Sequence, residues 1–117
     1  MDARILETSQ AQRRLMEIDQ ILSPDDQTLS IMNSEEREQT QTCLKIERTW
    51  LQLKLGIITQ ADKQRSLAGI FNELEENNLG VYNWLFARNE DGLSMVERIR
   101  DKVMPPAIYV GGYHTKR

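Results

Sequence analysis

The stretch Leu53-Lys54-Leu55-Gly56-Ile57-Ile58-Thr59-Gln60-Ala61-Asp62 decides the fold. Gly56 follows an apolar helical pattern, at the place where a left-handed residue closes a helix without a Cβ penalty. Thr59 then reads as an N-cap. Asp62 stands three residues on, in the reciprocal position of a capping box, although its side chain is shorter than the usual Glu. One helix ends and the next begins within a few residues, and so short a turn lays the two antiparallel as neighbours.

Upstream of the turn, a helix is expected from about Ser34 to Leu55, with Asn33 or Ser34 as its cap and Glu35 and Glu36 in its first turn. Its first half is polar. Its second half is apolar on two adjoining stripes: Cys43, Ile46, Trp50 and Leu53 on one, Leu44, Leu51 and Leu55 on the other. That exceeds the single apolar face of a surface helix, so this half should lie between two neighbours. Downstream, Leu67, Ile70, Phe71 and Leu74 supply the facing stripe. The central hairpin is therefore Cys43–Leu55 against Ala61–Leu74. Locally, Leu53 to Leu67 resembles the short helical hairpin of SHOCT-type C-terminal modules of bacteria and phages. The resemblance consists of turn chemistry in a small part of the chain and carries no function with it.

Further out, Ala11, Leu15, Ile18 and Leu22 are spaced four, three and four apart, one helical stripe over about Ala3 to Leu22, widened by Ile5 and Ile21. Gln10, Arg13, Arg14, Glu17 and Gln20 fall on the opposite, solvent face. Ser23-Pro24-Asp25-Asp26 reads as a helix restart, with serine as cap and proline at the first helical position. Leu29 and Met32 would face inward. Asn77-Asn78-Leu79-Gly80 ends the hairpin's second helix, and Val81 to Arg88, rich in large apolar groups, reads as a short buried helix. After the turn Asn89-Glu90-Asp91-Gly92, Ser94-Met95-Val96-Glu97 is a full capping box. Val96, Ile99 and Val103 give the last helix its inward face.

The chain of 117 residues, 39% hydrophobic and 28% charged, matches one globular domain and excludes general disorder. The predicted architecture is all-α: four to six helices over residues 1–104, then a short extended C-terminal arm over residues 105–117. Pro105-Pro106 stops the last helix, and Ile108-Tyr109-Val110 has high strand preference with no strand elsewhere to pair with. Net charge is −3, unevenly spread. Residues 98–117 hold Arg98, Arg100, Lys102, Lys116 and Arg117 against Asp101 alone, so an acidic body carries a basic end. The same cations also read as an ordinary solvated terminus.

No apolar run approaches the ~20 residues that span a bilayer, the first residues lack a secretory pattern, and one cysteine fits a reducing compartment. The chain is expected to avoid membranes and to be cytoplasmic, or part of an assembly built in the cytosol such as a virion.

Catalytic and metal-binding patterns are weak. His114 and Cys43 are the only histidine and cysteine, too few for a zinc site. Glu35, Glu36 and Glu38, and likewise Glu73, Glu75 and Glu76, lack the spacing of a di-iron bundle and read as solvated faces. Cys43 lies on an apolar stripe, where burial quietens a thiol. His114 is a poor base so near the end of an arm. Gly111-Gly112 has no following helix to cradle a phosphate. The expectation is a non-enzyme with no metal and no cofactor.

Two binding readings remain. In the first, the chain is an assembly or adaptor protein that works by helix packing and docking of the arm, on a protein partner or on a second copy in a homo-oligomer. Pro105, Pro106, Ile108, Tyr109, Val110, Tyr113 and Arg117 would make the contact, by strand addition or by tyrosine anchoring. The arm could equally fold back on the chain's own Trp84–Phe86 region. Small helical proteins with arms are common among phage structural and accessory proteins, an analogy of architecture only. In the second reading the 57–75 hairpin is a helix-turn-helix contacting nucleic acid through Gln60, Lys63, Gln64 and Arg65. The acidic body argues against it.

Overall fold

The computed structural model describes residues 3–105, and among them every regular element is helical. The helices are α1 (Ala3–Ile21), α2 (Ser34–Lys54), α3 (Gln60–Asn77), α4 (Leu79–Phe86) and α5 (Met95–Val103), with a 3₁₀ turn at Leu29–Ile31. The predicted all-α bundle is the observed one. Pro105 ends the described region, so the arm from residue 106 onward, Pro106, Ile108, Tyr109, Val110, Tyr113, His114 and Arg117 included, lies outside the described residues.

The Gly56 turn forms as its chemistry demands. Gly56 adopts a φ of 74°. Its N–H donates to Leu53 O at 3.0 Å and that of Ile57 to Gln52 O at 2.9 Å, the paired bonds of a Schellman cap. Asp62 proves long enough for the box: Asp62 N donates to Thr59 Oγ1 at 3.1 Å, and Thr59 N to Asp62 Oδ2 at 3.0 Å. Asn33 with Glu36, and Ser94 with Glu97, build the same reciprocal caps on α2 and α5. Asn78 serves two helices. Its N–H donates to Leu74 O at 2.7 Å, closing α3, while its side chain accepts from Val81 N at 3.2 Å, opening α4.

The Ser23-Pro24-Asp25-Asp26 restart is where sequence and structure differ. No α-helix forms there; turns lead to the 3₁₀ turn at Leu29–Ile31. Ser23 Oγ accepts from Asp25 N and Asp26 Oδ1 from Thr28 N, so side chains take backbone donors. Only Leu29 in this segment is buried, too little apolar surface to hold a helix.

α2 is the centre of the bundle, as its two stripes require, with α1, α3 and α5 packed around it. The core falls into two clusters that α2 joins. Ala11 and Ile18 of α1 meet Leu44 and Leu51 of α2 and Val103 of α5. Ile46 of α2 meets Leu74, Val81, Leu85 and Ile99. Trp50 packs against both clusters. Ile18, Ile46 and Leu85 are wholly buried, each contributing about 2–3 kcal/mol of transfer free energy.

Candidate docking seam

α1, α2 and α5 meet along a seam held by one carboxylate. Glu47 stands on the apolar half of α2, and its side chain is only 6% exposed. Arg14 reaches it from α1 with two parallel hydrogen bonds, Nε to Oε2 at 2.8 Å and Nη2 to Oε1 at 3.0 Å. Lys102 Nζ arrives from α5, 3.3 Å from Oε2. Arg14 also pairs with Glu17 on its own helix. Burial pushes the Glu47 carboxyl up, but the Arg14 hydrogen bonds and the Lys102 charge outweigh it and hold the group below its ordinary range. The hydrogen bond to Glu47 raises Arg14 further above its already high value.

Beside this cluster, Lys54 Nζ donates to Val103 O, the last carbonyl of α5, at 2.9 Å, and lies 3.8 Å from Glu7 Oε1. A cation at the negative end of a helix both satisfies an orphan carbonyl and complements the dipole. The bond fixes where the chain leaves the bundle. Pro105, exposed, lies on the rim of a groove of about 270 Å³ that Ala11, Leu51 and Val103 line together with Glu7, Lys54 and Lys102. Of the arm residues predicted to bind a partner, this structure describes Pro105 alone.

The four residues of the nucleic-acid reading are split by the fold. Gln60 and Gln64 are exposed at the start of α3. Lys63 is buried, with its ammonium 4.6 Å from the centre of the Trp50 ring, a cation–π contact that ties α3 to α2. Arg65 is exposed and pairs with Asp62. Two of the four side chains are thus engaged within the hairpin.

Cys43 is half-buried, and burial pushes its thiol up to about 11, far from a reactive thiolate. Among the described residues, no group of three or more His, Cys, Asp or Glu is placed to hold a metal ion. No described helix is long and apolar enough to cross a membrane.

Sequence reasoning missed the Glu47 cluster and left Arg14 on the solvent face of α1. The available signal was Glu47 itself, a charge among Leu44, Ile46, Trp50 and Leu51 on the most apolar half-helix of the chain. Such a charge requires a partner, but nothing local names residues 33 and 55 positions away. Compared with family models, curated proteins and solved structures, the chain matches none of the three.

Proposed function

We propose that this chain is a non-catalytic assembly or adaptor protein: the helical body is a mount, and the arm from Pro105 onward grips a protein surface, a second copy of the chain included. The anchored root of the arm carries the reading. Lys54 pins the end of α5 to α2 at 2.9 Å, and Pro105 leaves from the rim of an open groove on the α1/α2/α5 seam. An arm with a fixed point of departure loses less freedom on docking than one hung from a frayed helix. The arm's own composition supports contact: Ile108, Tyr109, Val110 and Tyr113 are apolar or amphipathic and end in Lys116 and Arg117. A place among phage structural or accessory components, in the cytoplasm or in a particle assembled there, fits this division into body and arm.

The test compares the full chain with one ending at Met104. Light scattering on the eluting peak gives the assembly state, and co-purification from the source cells gives the partners. The expected result is a smaller assembly or lost partners on truncation. Identical mass and identical co-purifying proteins would overturn the reading.

A further inference from the structure

The assembly reading leaves two surfaces of the body unused, and they complement each other. The first is a knob. Ile31, in the 3₁₀ turn, is 84% exposed, the most exposed large apolar side chain of the described residues. It is not loosely held. Arg37 reaches back from α2 and clamps both sides of the turn, Nε donating to Leu29 O at 3.1 Å and Nη2 to Met32 O at 3.0 Å. Leu29 is buried beneath it. The surrounding chain is acidic on balance: Asp25, Asp26, Glu35 and Glu36 stand against the single cation of Arg37.

The second surface is a groove of about 390 Å³ lined chiefly by α2 and α5, which shares Arg14, Glu47 and Lys102 with the groove at Pro105 but does not include Pro105. Cys43, Leu44, Trp84, Met95 and Ile99 give it an apolar lining. Arg14, Arg98 and Lys102 line it as well, against the single carboxylate of Glu47. Glu47 is already occupied by Arg14 and Lys102. Arg98 pairs with Asp91 at 2.5 Å, and its buried Nε has no hydrogen-bond partner among the described residues. The lining is therefore largely apolar and holds three cations to one carboxylate, with Asp91 meeting Arg98 from outside it.

We propose that the occupant of this groove is the Ile31 turn of a second copy of the chain, its isoleucine seated against the apolar lining and its flanking carboxylates facing Arg98 and Lys102. An exposed apolar group in a rigid turn gives up little entropy on burial, and opposite charges set the register. The arm is the poorer occupant. Residues 106–117 carry Lys116 and Arg117 and no acidic side chain, so they would bring like charge to the groove. A nucleic acid is poorer still, since the lining is largely apolar and the chain as a whole carries a net charge of −3. Ile31 precedes α2, and Gln39, Thr40 and Cys43 on the first half of α2 line the groove. Knob and groove thus lie toward the same end of one helix, and reciprocal exchange closes a two-fold pair.

The proposal rests on the self-assembly part of the reading above but not on the arm. Its test uses sedimentation equilibrium on the full chain, on Ile31→Asp and on Met95→Glu, with the chain ending at Met104 alongside. Met95 is in the first turn of α5, where a carboxylate favours the helix, but its side chain also packs on the Ile46–Ile99 cluster, so Ile31→Asp, at an exposed position, is the deciding variant and Met95→Glu counts only where its fold is intact. Circular dichroism checks that each variant is folded. The expected result is that either substitution raises the dimer dissociation constant at least tenfold. A mixture of the two variants, which retains one intact knob-and-groove contact, should associate more tightly than either alone. A monomeric full chain, or a dimer that Ile31→Asp leaves unchanged, would overturn the proposal. If the Met104 truncation alone dissolves the dimer, the arm reading stands and this one falls. If Ile31→Asp alone dissolves it, this one stands without the arm.

Discussion

Glu47 illustrates what a single charge does on the apolar half of a central helix. Removing a buried carboxylate from water is unfavourable, and only the two-pronged Arg14 contact with Lys102 beside it makes the position tolerable. Arg14 and Lys102 remain partly exposed, at 32% and 60%, so solvent screens much of the attraction. Glu47→Gln is expected to lower stability by about 1–2 kcal/mol near neutral pH, read from urea denaturation. The loss should itself depend on pH. The folded-state value of Glu47 is held below the ordinary glutamate value, so its contribution is complete above about pH 4.3 and fades as pH falls through the lower folded value. Wild type and Glu47→Gln should therefore begin to converge in stability as pH falls below the ordinary glutamate value of about 4.3. A constant difference between pH 7 and pH 3 would show that the carboxylate's charge contributes nothing.

At the scale of elements, the helix ends carry most of the local specification. Gly56 is the test position in the α2–α3 turn. A methyl group there would meet no atom within 4 Å, yet the φ of 74° is strained for any L side chain. Gly56→Ala should cost about 1 kcal/mol with no change in packing. Thr59→Ala removes the acceptor for Asp62 N and should cost about 1 kcal/mol as well. Chemical denaturation of both single variants and the double variant checks the pair. The two residues share one short turn, so a double variant that departs from the sum of the singles would report coupling through its backbone. Equal stability of Gly56→Ala and wild type would mean that the turn relaxes to another conformation. The failed helix at Ser23 teaches the complementary lesson. A cap and a proline start a helix only where the residues that follow have an apolar face to bury, and between Pro24 and Thr28 there is none.

At the scale of the molecule, α2 joins two apolar clusters, and α1 lies at the edge of one of them. α1 packs chiefly on α2, through Ala11, Ile18 and the Arg14 clamp. Its amide hydrogens should exchange well before those of the middle of α2, and Glu47→Gln should speed α1 selectively. Hydrogen exchange read by mass spectrometry resolves the two segments. Uniform acceleration across all the helices would mean that the cluster stabilises the bundle as a whole and does not specifically fasten α1.

From the residues alone came the helical class, the caps at Thr59 and Ser94, a cap at Asn33 or Ser34, the left-handed Gly56 and the central place of α2. These are legible because capping and 3.6-residue periodicity act within a few positions of the chain, so the sequence holds cause and effect side by side. Tertiary structure alone decided that Arg14 turns inward to Glu47, that Lys63 lies over Trp50 while Gln60 and Gln64 stay outside, that Lys54 seals α5, and that Ile31 projects from a clamped turn. The Arg14, Lys63 and Lys54 contacts join one helix to another, and even the Arg37 clamp on the Ile31 turn reaches beyond a single helical turn. Their existence depends on how whole helices pack, and on burial that makes a charge seek one specific partner where water would otherwise solvate it.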